Sequence, residues 1–264
     1  MIDSSLVLTL AVLGVATGFL AGLLGIGGAV LMVPVITFLL RSHGYPPEFA
    51  PKMSIATSLA TICFTSLSSL RAHHQRGAVL WRLVGLLAPG IVIGSLIGVR
   101  VAVALPARLL TGLFAVFLIV SATQMLLDRK PSAARRLPGA AGTSAVGVVI
   151  GIVSALVGAG GAFISVPFMT ACNVRIHQAV GTAAALGFPI ALAGTAGYLW
   201  AGRALPHLPW SVGYLYLPGL VTVSLASIML APVGARVAHG MQVRPLRRVF
   251  ALFVYALSAY TLLK

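Results

Sequence analysis

The sequence predicts an all-α polytopic membrane protein made of two homologous halves. Three observations carry that prediction: a shortage of charge, long unbroken apolar runs, and a glycine motif that occurs twice. Of 264 residues, 59% are hydrophobic and 8% are charged, where a soluble domain needs roughly a quarter charged residues for its surface. Three acids (Asp3, Glu48, Asp128) and eighteen Lys and Arg cannot solvate a globule of this size. Disorder and collagen require low hydrophobicity or a glycine period, and neither is present. The apolar stretches are continuous rather than alternating, which selects helices over a β-barrel.

The net charge of +15 does not read as a nucleic-acid surface. Basic residues come singly or as the doublets Arg135–Arg136 and Arg247–Arg248, between apolar segments and without a basic stripe. They read as loop charges that set topology and meet anionic headgroups. Cys63 and Cys172 lie inside apolar stretches and read as packing residues rather than a disulfide or metal pair. The N-terminus lacks a positive n-region and reads as the start of the first membrane segment, not a removed signal.

Charge-free runs mark the membrane segments in order. They are Ser4–Leu40, Met53–Leu70, Leu83–Val99, Leu109–Leu127, Leu137–Val174, Ile176–Gly202, Ala204–Ala235 and Val249–Leu263. A crossing takes about 20 residues, so six of the runs fit one crossing each. The first and fifth, at 37 and 38 residues, would be about 56 Å long as straight helices, nearly twice the ~30 Å hydrocarbon core. Each must break. Each carries a glycine cluster near its middle, Gly25-Ile26-Gly27-Gly28 and Gly158-Ala159-Gly160-Gly161, followed by Pro34 and Pro167 at equal distance.

This is an internal repeat. Gly18–Pro34 aligns without gaps on Gly151–Pro167 with eight identities in 17 positions, and Arg100–Phe114 on Arg236–Phe250 with six in 15. Between these blocks Ala56-Thr57-Ser58 matches Gly181-Thr182-Ala183 after an eight-residue deletion. The expected organisation is a first repeat over 1–130, a basic linker over 131–140 and a second repeat over 141–264. Duplicated halves are typical of secondary transporters.

Charge distribution addresses their relative orientation. If each over-long run crosses once, Lys and Arg divide nine and nine between the two sides. If each folds back as a hairpin or re-entrant element, they divide twelve and six, which satisfies the positive-inside rule. The second arrangement makes the halves inverted, each with a glycine-broken first segment plus three spans, and puts both termini outside.

The glycine clusters are the candidate site. Unwound backbone at membrane depth is tolerated only where protein buries it or where it lines a cavity. The helix that resumes beyond it presents unpaired N–H groups and the positive end of its dipole. Two such ends, at Gly25, Gly27 and Gly28 and at Gly158, Gly160 and Gly161, suit an anion. Close helix packing is the competing explanation for these glycines. Thr57, Ser58 and Thr182 are candidate hydroxyl ligands, with bonding back to their own helices as the alternative; for Ser54 and Thr61 that alternative is preferred. Arg100 and Arg236, in matching contexts, are interfacial snorkelling residues or an anion gate.

No Asp or Glu falls inside a span and all six histidines fall at segment ends or in loops. The usual proton-relay groups and a base for a serine nucleophile are therefore missing. The His73–His74 pair has no matching ligand cluster, so no metal or other cofactor is expected.

The run from Gly18 through Gly22, Gly25, Gly27 and Gly28 to Pro34 resembles the opening signature of the TauE/SafE sulfite-exporter family. Its second copy, from Ser154 through Gly158, Gly160 and Gly161 to Pro167, does so too. Ala179-Val180-Gly181-Thr182 and Leu246-Arg247-Arg248-Val249-Phe250-Ala251 are also similar to that family, so the resemblance covers essentially the whole chain. It implies a non-enzymatic cell-membrane permease for sulfur-containing anions such as sulfite, thiosulfate or organosulfonates. Its members differ in substrate and direction. An inside-negative potential favours anion exit by roughly 2.3 kcal/mol per charge per 100 mV, so the expectation is electrogenic efflux or facilitated passage. The alternative is a membrane enzyme or assembly protein whose glycines serve packing alone.

Overall fold

A chain that must satisfy its backbone inside a bilayer does so helix by helix. In the computed structural model, which describes residues 4–24, 29–127, 137–206, 208–240, 251–259 and 261, nearly every described segment is helical. The helices are α1 (Ser4–Leu24), α2 (Ala29–Ser42), α3 (Ala50–Gln75), α4 (Trp81–Ala104) and α5 (Ala107–Leu127). After the linker come α6 (Ala140–Val157), α7 (Ala162–Ala171), α8 (Ile176–Ala201) and α9 (Leu217–Gly240). Residues 251–259 are also helical. Among the described residues, five helices (α3, α4, α5, α6 and α8, the last with its continuing turn) are long and apolar enough to cross a membrane.

The surface supports the same reading. Leu8, Val12, Ile93, Val116, Val149, Leu225 and Leu252 all stand exposed on helix flanks, an apolar exterior that suits lipid and would not suit water. Trp81 and Trp200 are exposed at helix ends and Trp210 in the segment between α8 and α9, positions that suit interfacial anchors. The Arg203 guanidinium lies 4.2 Å from the centre of the Trp200 ring.

One segment departs from the sequence reading. The run Ala204–Ala235 has the length of a single crossing, but the chain leaves α8 through a 3-10 turn, Gly202–Ala204, and forms a small hairpin before α9 begins at Leu217. Its strands, β1 (Ser211–Val212) and β2 (Leu215–Tyr216), pair antiparallel around Gly213 at φ +57°. Pro206 and Pro209 cannot supply amides to a helix. The linker is described only from residue 137 onward.

The core is interlocked. α3 and α8 pack together at the centre, α4 lies along α6, and α1 lies along α9. α1, α3 and α4 thus find their main partners in the second half, while α2 packs on α3. The α4–α6 seam is made by glycine: a Cβ at Gly98 would stand 2.6 Å from the Ile152 carbonyl oxygen, and Gly147 and Gly151 face the Leu87 and Ile91 carbonyls in return. Gly14 and Gly18 of α1 face the Val223 and Ser227 carbonyls of α9 in the same way. Small residues let helix backbones approach where lipid supplies no hydrophobic drive.

Candidate functional site

α6 ends at Val157 because Gly158 takes a left-handed conformation, φ +69°, open to glycine at little cost. Gly161, at φ +74°, starts α7. Between them the helix is interrupted within the core, where Val157 and Ala159 are buried. A Cβ on Gly160 would stand 3.6 Å from Ile62, and one on Gly187 3.7 Å from the Gly160 carbonyl oxygen. Ile62 and Gly187 lie near the midpoints of α3 and α8, so the turn sits beside the middle of both helices.

The amides of Ile164 and Ser165 return to the Gly161 carbonyl. Those at the head of α7 have no intrahelical acceptor, as at any helix start. Ser58, fully buried on α3, donates its hydroxyl to the Gly158 carbonyl at 3.0 Å and ties the turn to the central helix. The Ser154 hydroxyl is 1% exposed and has no hydrogen-bond partner, although a Cβ on Gly161 would lie 3.1 Å from it. A serine hydroxyl in a helix usually bonds back to its own turn; this one is left at the mouth of α7. In the sequence its one signal is its position four residues before Gly158.

Thr57 and Thr182, the pair expected from the sequence alignment of the halves, are fully buried. Thr57 donates to the Met53 carbonyl and accepts the Tyr216 amide at 3.0 Å. Thr182 accepts the Leu80 amide at 3.0 Å. Each hydroxyl therefore caps the extended residue just before a helix of the opposite half, α9 and α4 respectively. Ser54 and Thr61 bond back to Ala50 and Thr57.

Gly25, Gly27 and Gly28 lie outside the described residues. Arg100 is exposed near the end of α4, and the Arg236 side chain also lies outside the description. Cys63 and Cys172 are free thiols. The structure thus brings Ser58 and Gly158 into direct contact and adds Ser154 beside Gly161, while Thr57 and Thr182 are engaged in joining the halves.

Around the hairpin, Tyr45 donates to the Pro209 carbonyl at 2.7 Å and meets Tyr216 edge-on. Phe49 meets Tyr214. Burial raises the phenol of Tyr214 above its ordinary value. Burial, with the neighbouring Tyr45, pushes Tyr216 up to about 12.

A family model described as "Sulfite exporter TauE/SafE" matches residues 10–261. A "probable membrane transporter protein" of Haemophilus influenzae is 32% identical over 260 residues, covering 98% of each chain. One from Bacillus subtilis is 31% identical over 205 residues, 75% of this chain and 79% of its own. One from Methanocaldococcus jannaschii is 26% identical over 231 residues, 85% and 81% of the two chains. No solved structure matches. With an apolar exterior, five helices able to span a bilayer and a family match over nearly its whole length, the chain belongs to the TauE/SafE family of multi-pass membrane transporters.

Proposed function

We propose that the protein is a permease for a small sulfur-containing anion, sulfite, thiosulfate or an organosulfonate, bound at mid-depth where the chain breaks between α6 and α7. The observation that carries this reading is the pairing of an open helix N-terminus with the buried, unpartnered Ser154 hydroxyl. Amides and a hydroxyl are neutral donors that suit an anion without demanding a counter-charge. Gly160 leaves the backbone bare at that point. In sequence the first half carries the matching cluster Gly25, Gly27 and Gly28, and Ser58, Thr57 and Thr182 hold the helices around the α6–α7 turn in place.

We place the two halves in inverted orientation. The loop holding Tyr45 touches the hairpin at Pro209 and Tyr216, and Leu80 touches Thr182 near the start of α8. Both meetings suit the fold-back arrangement of the over-long runs. If each run crossed once, they would pair residues on opposite faces of the membrane. A cysteine-accessibility map of the full chain tests this: positions 74 and 205 on opposite faces are expected, and one shared face would overturn it.

With no carboxylate inside a span, export down the electrical gradient is the direction the charge inventory favours. Arg100, exposed on α4, serves as an interfacial anchor in this scheme. The test is anion flux in liposomes under an imposed potential, with Gly160→Ala as the variant. The protein should respond to the potential, and Gly160→Ala should keep its membrane abundance while losing at least tenfold in flux. Potential-independent flux would overturn the electrogenic mechanism, and full flux in Gly160→Ala would overturn the site.

A further inference from the structure

A cavity of about 280 Å³ lies between α2, α3 and α5, lined by side chains from all three and by Thr261. Its lining is mostly apolar, with Phe38, Leu110 and Phe114 among the walls. Three of its hydroxyls are already tied to backbone carbonyls: Thr37 to Val33, Ser42 to Leu39, and Thr261 to Leu257. Two polar atoms are not. The Arg41 Nε and the Thr111 Oγ1 are buried without a hydrogen-bond partner. An unmet buried donor on a permanently charged group is costly, and a guanidinium has only donors to offer. An acceptor with negative charge is the complement both atoms lack.

Size narrows the class. A water occupies about 30 Å³ of liquid, so the cavity has room for several non-hydrogen atoms beyond an anionic head. Position gives it a use. Val33 and Ile55 line the cavity, and the same two residues close on Gly158, each within 3.2 Å of where a Cβ there would stand. One layer of side chains separates the cavity from the glycine break.

We infer that this cavity is a binding vestibule for an organic monoanion, a sulfonate or carboxylate with a short apolar body. Its head is held by Arg41 and Thr111, and its body lies against Leu110 and Phe114. Its role in admitting substrate to the break rests on the permease reading; the binding itself does not.

The test is calorimetric titration of the full chain in detergent with butanesulfonate, butanoate and sulfite. Saturable binding of the two organic anions that depends on Arg41 and Thr111 is expected, with any sulfite binding that depends on them at least tenfold weaker. Loss of the charged hydrogen bonds in Arg41→Gln should weaken butanesulfonate by about 10- to 100-fold. The near-isosteric Thr111→Val should weaken it less, and it keeps the test intact if Arg41→Gln fails to accumulate. Unchanged affinity in Thr111→Val together with unchanged affinity in any folded Arg41→Gln would overturn the inference. So would sulfite binding as tightly as butanesulfonate and being weakened equally by Thr111→Val, since sulfite held at the α6–α7 break is indifferent to that substitution. A phospholipid retained by the wild-type protein and lost from Arg41→Gln, read by mass spectrometry without displacement by butanesulfonate, would assign the cavity to a lipid phosphate and overturn it too. Binding without liposome flux would leave the vestibule standing and remove the permease reading; flux with no Arg41 or Thr111 effect on binding would do the reverse.

Discussion

Along the α4–α6 seam, Gly98 packs so closely on the Ile152 carbonyl that a methyl group would stand 2.6 Å from it. At the α6–α7 break, a methyl group on Gly160 would find its nearest neighbour, Ile62, at an ordinary 3.6 Å. The first region needs glycine for the absence of volume; at the second, Gly160 has room for a methyl group, which leaves access to the backbone as the use we propose for it. A glycine-rich membrane sequence therefore contains two populations that composition alone does not separate. The difference is visible in what a substitution would meet.

The largest effect is expected at the seam. Gly98→Val would drive side-chain carbons into the α6 backbone, at a cost of at least the 1–3 kcal/mol typical of overpacking, on the order of several in so rigid a contact. Membrane abundance should collapse, while Gly112→Ala, with nothing within 4 Å, should be neutral. Immunodetection of membrane fractions checks both. Normal abundance of Gly98→Val would show that the seam can yield, and the contrast between the two glycine populations would fail.

Within the break, the comparison can be made between neighbours. Gly161→Ala forces an alanine to φ +74° and places its Cβ against Ile190, costing about 1–3 kcal/mol for the backbone alone. Gly160→Ala carries neither penalty. Thermal unfolding in detergent should therefore show Gly161→Ala clearly destabilised and Gly160→Ala close to wild type. Equal destabilisation of the two would place Gly160 among the packing glycines.

Much of this was legible in the sequence, for physical reasons that particular residues show. A charge-free run twice as long as a bilayer is thick must be interrupted, and in the structure residues 137–174 contain two helices, α6 and α7. The hairpin before α9 was not legible from charge, because residues 204–235 carry none. Pro206, Pro209 and Gly213 were the turn signals within it. Ser154 was hidden for another reason: a serine in an apolar helix ordinarily bonds to its own turn, and only tertiary placement shows that this one does not. Thr57 and Thr182 were found as a matched pair, yet their partners lie 159 and 102 positions away. No local pattern encodes a contact of that range. Arg41 reads in the sequence as one loop cation among many, and only the cavity beside it sets it apart.

The two threonines give a smaller effect that tests the correspondence of the halves. Thr57→Val leaves the Tyr216 amide without its acceptor, and Thr182→Val does the same to Leu80, each worth about 1–3 kcal/mol. Both should lower thermal stability by similar amounts, and Thr→Ser at each position should restore most of it. A large loss at one site with none at the other would mean that the halves are joined asymmetrically, whatever their sequence likeness.

The smallest effect is a titration. Tyr216 holds its proton to about 12 in the folded protein, against an ordinary 10.0. An undocked tyrosine ionises first, so the hairpin's contribution to stability is intact below about pH 10 and is lost as the pH rises from about 10 towards 12. Tyrosinate absorbance should therefore appear late for this residue. Tyr216→Phe, which keeps the ring against Tyr45 but cannot ionise, should flatten the alkaline fall in thermal stability over that window. If Tyr216→Phe falls as steeply as wild type, then the hairpin is not the alkaline weak point. The break and the seam, which contain no group that ionises there, would then have to be compared by substitution alone.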